Sequence, residues 1–125
     1  MKTTINDALT MGVEAHRQGD LSRAANLYSA ILDSAPTHGD ANHNLGIIKN
    51  KLESKSQAIP YLKAAIDSNP EVEQFWLSYI NVLMADGQYI NAIQKIGHGV
   101  IEGLSTQKAS ELMDIAIAEH KKENK

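Results

Sequence analysis

Residues 45–70 read LGIIKNKLESKSQAIPYLKAAIDSNP, and three positions within them, Gly46, Ala58 and Pro70, decide the fold. The same residue types stand one period earlier as Gly12, Ala24 and Pro36, and Ala92 continues the alanine phase (58 − 24 = 34; 92 − 58 = 34). Tyr28, Leu62 and Ile96 follow each alanine by four residues, and Leu32, Ile66 and Val100 follow it by eight. A period of this length means stacked copies of one small unit that cannot bury its apolar face alone. Function in such a chain is expected on a shared surface rather than in a catalytic pocket.

Helical spacing runs through the whole sequence. Ala8, Met11, Gly12 and Ala15 fall at i, i+3, i+4 and i+7 of one helix face. Gly19-Asp20 then supplies a residue suited to a helix C′ position followed by an N-cap. Pro36 cannot continue the helix before it. This predicts helices near 4–17 and 21–34. The next pair is expected near 39–51 and 55–68, the latter opened by the capping box Ser54–Gln57, with Pro60 within its first two turns. Asn69-Pro70 reads as N-cap and first helical residue of a helix near 71–86. A partner follows near 89–102, stopped by Gly103. Ser105 caps a seventh helix with the stripe Ala109, Leu112, Met113, Ala116 and Ile117. The tail 121–125 is polar and expected to fray. No strand pattern, linker or low-complexity block interrupts this reading.

The small residues carry a packing argument. Antiparallel helices approach closely only where side chains are short, so Gly12 and Gly46 on first helices and Ala24, Ala58 and Ala92 on second helices mark the crossings. Tyr28, Ile31 and Leu32, then Leu62 and Ile66, then Trp76, Tyr79 and Leu83 are expected to fill the space between neighbouring pairs.

The totals narrow the function classes. The chain of 125 residues is 42% apolar and 22% charged, an ordinary globular balance sufficient for one domain. It has no cysteine, which rules out disulfides and Cys-based zinc sites. The net charge of −3 offers no excess of base for phosphate contacts, so a nucleic-acid partner is not expected. Met1 to Gly12 lack the apolar core of a signal peptide, and charges or amides interrupt every apolar stretch. A cytoplasmic protein that does not enter a membrane is therefore expected.

These residues resemble the tetratricopeptide repeat family, whose 34-residue helix–turn–helix unit carries an aromatic, then Leu-Gly, Ala, an aromatic and Pro. Gly12, Ala24, Tyr28 and Pro36 match in the first unit. Leu45, Gly46, Ala58, Ala65 and Pro70 match in the second, and Trp76 and Ala92 in the third. The third unit departs at Ile80, Gly99 and Leu104, where the family favours Gly, Ala and Pro. The resemblance implies an all-α, right-handed superhelical array of three helix–turn–helix units plus a C-terminal capping helix, seven helices in one domain over residues 1–120. The units would span about 5–38, 39–72 and 73–104, and the cap about 105–120. The stretch from Asn69 to Ile80, with Gly87 and Gly103-Leu104-Ser105, also looks like bacterial repeat modules found ahead of glycosyl-, sulfo- and methyltransferase domains.

In the family, first helices line a concave groove through the second, fifth, sixth, ninth, twelfth and thirteenth positions of each unit. Carried over, these are Asn6, Leu9, Thr10, Val13, His16 and Arg17 in the first unit. They are Asp40, His43, Asn44, Ile47, Asn50 and Lys51 in the second, and Gln74, Leu77, Ser78, Asn81, Met84 and Ala85 in the third. Apolar Leu9, Val13, Ile47, Leu77 and Met84 among the amides of Asn44, Asn50, Asn81 and Gln74 suit a short peptide that buries a few side chains. The alternative is ordinary solvated surface. Some family members grip C-terminal carboxylates with Lys and Asn in the first unit, but Leu9 and Val13 stand at those positions, and only Asn44 agrees.

Sharper chemistries find little support. His16, His38, His43, His98 and His120 include no pair four apart on one helix, so no metal or other cofactor is expected. The carboxylates are scattered over solvated faces, no phosphate-binding loop is present, and no catalytic residue stands out. Gly97-His98-Gly99 reads as the thinned face of a helix, and Trp76 as packing between helices. Ile115 stands apart from Met113 and Ile117 on the seventh helix, which predicts a weak homodimer or contact with a following domain. The expected function is a non-catalytic adaptor or scaffold binding a peptide or protein partner in the groove. The alternatives are the substrate-recruiting arm of a bacterial transferase, to be separated by what is encoded after residue 125, and a homo-oligomeric scaffold.

Overall fold

Short polar side chains start most of the helices. The computed structural model describes residues 4–124; Met1, Lys2 and Thr3 of the N-terminal stretch and Lys125 of the polar tail lie outside them. The described residues form seven helices and no strand: α1 (Ile5–Arg17), α2 (Leu21–Ser34), α3 (Gly39–Leu52), α4 (Lys55–Ser68), α5 (Glu73–Ala85), α6 (Tyr89–Glu102) and α7 (Thr106–Glu123). They divide into two compact units, Met1–Ser68 and Asn69–Lys125.

In the first unit, Thr4 Oγ1 accepts from the Asp7 N–H at 3.0 Å, and an Asp20 carboxylate oxygen accepts from Arg23 N–H at 3.2 Å. Gly19, at φ +82°, closes α1: its N–H reaches His16 O, and the Asp20 N–H reaches Ala15 O. This double closure needs a left-handed residue, which glycine supplies without a Cβ penalty. Ser54 Oγ accepts from the Gln57 N–H at 3.2 Å, as the capping box requires. The start of α3 is less familiar: His38 Nδ1 accepts from the Ala41 N–H at 3.1 Å, so the ring carries its proton on Nε2 when neutral.

The core of this unit gathers Ala8, Ala15, Ala24, Tyr28, Ile31, Ala41, Leu45 and Ile48. Its crossings correct one expectation. Tyr28 and Leu62 fill the contacts within their own helix pairs. A Cβ added at Gly12 would stand 2.6 Å from Tyr28 Cε1, and one at Gly46 would stand 2.7 Å from Leu62 Cδ2. The large residue of each second helix lies over the glycine of its first helix.

In the second unit Trp76 plays the matching part. It is buried against Gly99, where a Cβ would meet its ring carbons at 3.1 Å. Ile80 at the glycine phase is fully buried, and the small residue has moved to α6. Asn69 and Pro70 do not start α5. They form a turn, and the helix begins at Glu73 after Val72, which makes no side-chain cap. The reason is tertiary: Trp76 Nε1 donates to Pro70 O at 2.6 Å, and Gly103 packs so closely that a Cβ there would lie 2.9 Å from Glu71 O and 3.0 Å from Pro70 O. Gly87 at φ +79° closes α5 as Gly19 closes α1: its N–H reaches Met84 O, and the Gln88 N–H reaches Leu83 O.

Ser105 caps α7, its Oγ accepting from Lys108 N–H at 3.3 Å. The Glu73 carboxylate holds that corner, accepting from Ser105 N–H at 2.6 Å and from Lys108 Nζ at 2.9 Å. The capping helix, expected over about 105–120, runs to Glu123. Lys122 pairs with Glu119 at 3.0 Å, and the His120 carbonyl accepts from Asn124 Nδ2 at 2.9 Å. Cations in the last turn also suit the negative end of a helix.

Candidate functional site

Helix register decides which of the predicted residues share a face. On α1, Asn6, Val13 and Arg17 are exposed, while Leu9 and His16 are half-buried. Leu9 leans on the core and offers less of itself to a ligand than its spacing suggests. Arg17 is held back on its own helix by Glu14, with Nη2–Oε1 at 2.7 Å and Nε–Oε2 at 3.0 Å. On α3, Asn50 and Lys51 are exposed, and His43, Asn44 and Ile47 are half-buried.

Burial lowers the pKa of His16 on α1, and repulsion from the positive charge of Lys51 on α3 lowers it further. Burial also lowers that of His43, against opposing effects of Asn44 and Asp40. His43 Nδ1 and Asn44 Oδ1 lie 3.2 Å apart. Behind them, burial pushes the Tyr28 phenol up, with the Asn44 amide acting in the opposite sense. Tyr28 Oη is nevertheless buried without a partner at hydrogen-bond geometry. No local pattern marks this unpartnered hydroxyl beneath the stripe, whereas the shared phase of Arg17 and Lys51 (51 − 17 = 34) hints that Lys51 comes near His16, the neighbour of Arg17.

The second unit presents its own stripe on α5. Gln74 and Asn81 are exposed, Leu77 and Met84 half-buried, and Ser78 buried. Gln74 Nε2 donates to Ser78 Oγ at 3.2 Å, so this amide is engaged within its helix. Among the described residues, no three His, Asp or Glu side chains gather as a metal site, and no helix is long and apolar enough to cross a membrane.

Tandem helix pairs whose first helices expose mixed apolar and amide stripes define the class of helical repeat proteins. No protein-family model matches the sequence, and no curated protein matches it. Solved structures do. The chain is similar to the TPR2B domain of yeast Sti1 in its pHsp70 complex, at 21% identity and TM-score 0.77, over 91% of this chain and 96% of that one. It is similar to the TPR domain of Sgt2 from Aspergillus fumigatus, at 16% identity and TM-score 0.80, over 96% and 81%. A mutant O-GlcNAc transferase of Thermobaculum terrenum matches at 25% identity and TM-score 0.74. That match covers 94% of this chain but 23% of the transferase. The chain has the tetratricopeptide-repeat fold, as its period implies.

Proposed function

We propose that the chain is a non-catalytic protein-interaction module that takes a peptide or protein partner along the α1 and α3 stripes of the first unit. The observation that carries this reading is the character of those stripes. Exposed Val13 and half-buried Ile47 can accept apolar side chains, while Asn44 and Asn50 can donate to and accept from a peptide backbone. Lys51 closes one end with a positive charge, beside the His16 ring that burial and this charge keep neutral. The Sti1 domain, similar in fold, is known in complex with pHsp70, which supports a polypeptide ligand. The test is selection of random peptides against the immobilised protein. Asn44→Ala with Ile47→Ser should weaken selected peptides about tenfold or more, with little change in thermal midpoint. Selected peptides that bind the double variant as well as the parent would move the site elsewhere.

A second reading follows from the likeness to the Thermobaculum terrenum transferase, of which the matched region is under a quarter. Here the same stripes recruit the polypeptide substrate of a transferase. A transferase domain encoded after residue 125 would favour it.

A further inference from the structure

Packing does not account for the hydroxyl of Tyr28. The residue leaves α2 and lays its ring across Gly12 of α1. Its hydroxyl end comes close enough to α3 for the Asn44 amide to act on the phenol. Leu62 stands at the same phase of the next helix pair (62 − 28 = 34) and covers Gly46 without any polar atom. An apolar side chain therefore suffices at such a crossing. Tyr28 is fully buried, and its Oη meets no hydrogen-bond partner. Among the described residues it is the one buried side-chain oxygen or nitrogen so placed. A buried donor without an acceptor is rare, because it gives up its bonds to water and gains none in return.

What the hydroxyl lacks is an acceptor. Asn44 Oδ1 lies 3.2 Å from His43 Nδ1, so the oxygen of that amide faces the histidine. The amide lowers the phenol pKa against the effect of burial, the sense of an N–H turned towards the phenol oxygen. Asn44 thus offers Tyr28 a donor and no acceptor. The acceptor that fits is neutral, since the burial that disfavours the phenolate would disfavour a carboxylate at the same depth. It is carried on a side chain, because a main-chain carbonyl projects only about 1.2 Å from its backbone and the hydroxyl is fully covered. Asparagine and glutamine are the side chains that present a neutral carbonyl oxygen.

We infer that Tyr28 Oη is a specificity-determining donor of the first unit, which takes the side-chain carbonyl of an asparagine or glutamine on the bound peptide. This rests on the reading of the α1 and α3 stripes as a peptide site. Asn44 is the gate: half-buried on the stripe, it joins the surface above to the phenol below. Rotation about its two side-chain single bonds turns it aside and admits the partner's amide. A pocket that must satisfy a buried donor rejects a ligand without the matching acceptor.

Random-peptide selection against the whole chain tests this. Binders should share one Asn or Gln, and Tyr28→Phe should weaken them about tenfold or more. The thermal midpoint of the free variant should hold or rise, so that the loss is not one of folding. Replacing the shared Gln of the peptide by Met, or its Asn by Leu, should weaken binding to the parent by a similar factor. The same replacement should add little against Tyr28→Phe, a non-additivity that a merely structural tyrosine would not produce. Binders that need Asn44 and Ile47 but tolerate Tyr28→Phe overturn this inference and leave the stripe reading standing. Binders indifferent to all three positions, or no binders at all, overturn both. Binders without Asn or Gln that still need the hydroxyl overturn the choice of acceptor. A free Tyr28→Phe protein that melts lower than the parent shows the hydroxyl already bonded within the chain, and overturns the inference as well.

Discussion

The Tyr28 ring lies across Gly12, so closely that a single added methyl carbon would stand 2.6 Å from its Cε1. Ring and glycine belong to consecutive helices, and each explains the other. The glycine makes room for the ring, and the ring fills what would otherwise be a void between α1 and α2.

Gly12→Ala should therefore destabilise the first unit although alanine is the better helix former. Overpacking costs about 1–3 kcal/mol, against about 1 kcal/mol gained in propensity. Urea denaturation should show a net loss of about 1 kcal/mol for Gly12→Ala. Ala58→Leu, at a fully buried position of α4, should lose about 1–3 kcal/mol.

Tyr28→Phe should behave in the opposite way. The hydroxyl is buried without a partner, so removing it removes an unsatisfied polar group and keeps the ring. Stability is expected to hold or rise by up to about 1 kcal/mol. A loss of that size in urea melts would mean that Tyr28 Oη has a partner in solution.

His16 and His43 should titrate below the ordinary value of 6.5. Their folded-state pKa values are depressed, so their contribution to stability is present above the unfolded value and is lost as pH falls from 6.5 through the folded values. Lys51→Met should move the NMR titration of His16 upward and leave His43 in place. No movement of His16 would separate the two stripes.

Glu73 gives the second unit an acid-sensitive corner. Lys108 and the Ser105 N–H hold its carboxyl below the ordinary value of 4.5. Its contribution is present above 4.5 and disappears as pH falls through the depressed value. Parent and Glu73→Gln proteins should thus differ in thermal midpoint near pH 7 and converge in acid. A constant difference across that range would show that the carboxylate charge is not what holds Ser105 and Lys108.

Local chemistry was legible in the sequence; chemistry across long separations was not. The 34-residue period revealed Gly12, Gly46, Ala24 and Ala58 because each serves the same crossing in successive pairs. Gly19, Asp20 and Ser105 announced helix ends because capping acts within a few residues. Asn69-Pro70 carried an equally good local signature and misled, because Trp76 and Gly103 engage that backbone from elsewhere in the unit. The Glu73–Lys108 pair spans 35 residues and leaves no local pattern. The candidate stripes were legible as register. What register could not say is that Leu9 turns to the core, that Glu14 holds Arg17, or that Ser78 engages Gln74.

Gly103 sets a limit on how this chain can change. The atoms that would obstruct a side chain there are the main-chain carbonyls of Pro70 and Glu71. A crowded glycine facing a leucine can be relieved by trimming the leucine, but no compensating substitution trims a carbonyl. Residue 103 is thus closed to mutational drift unless the turn before α5 is itself rebuilt, while most of the exposed helix surface around it remains free to diversify.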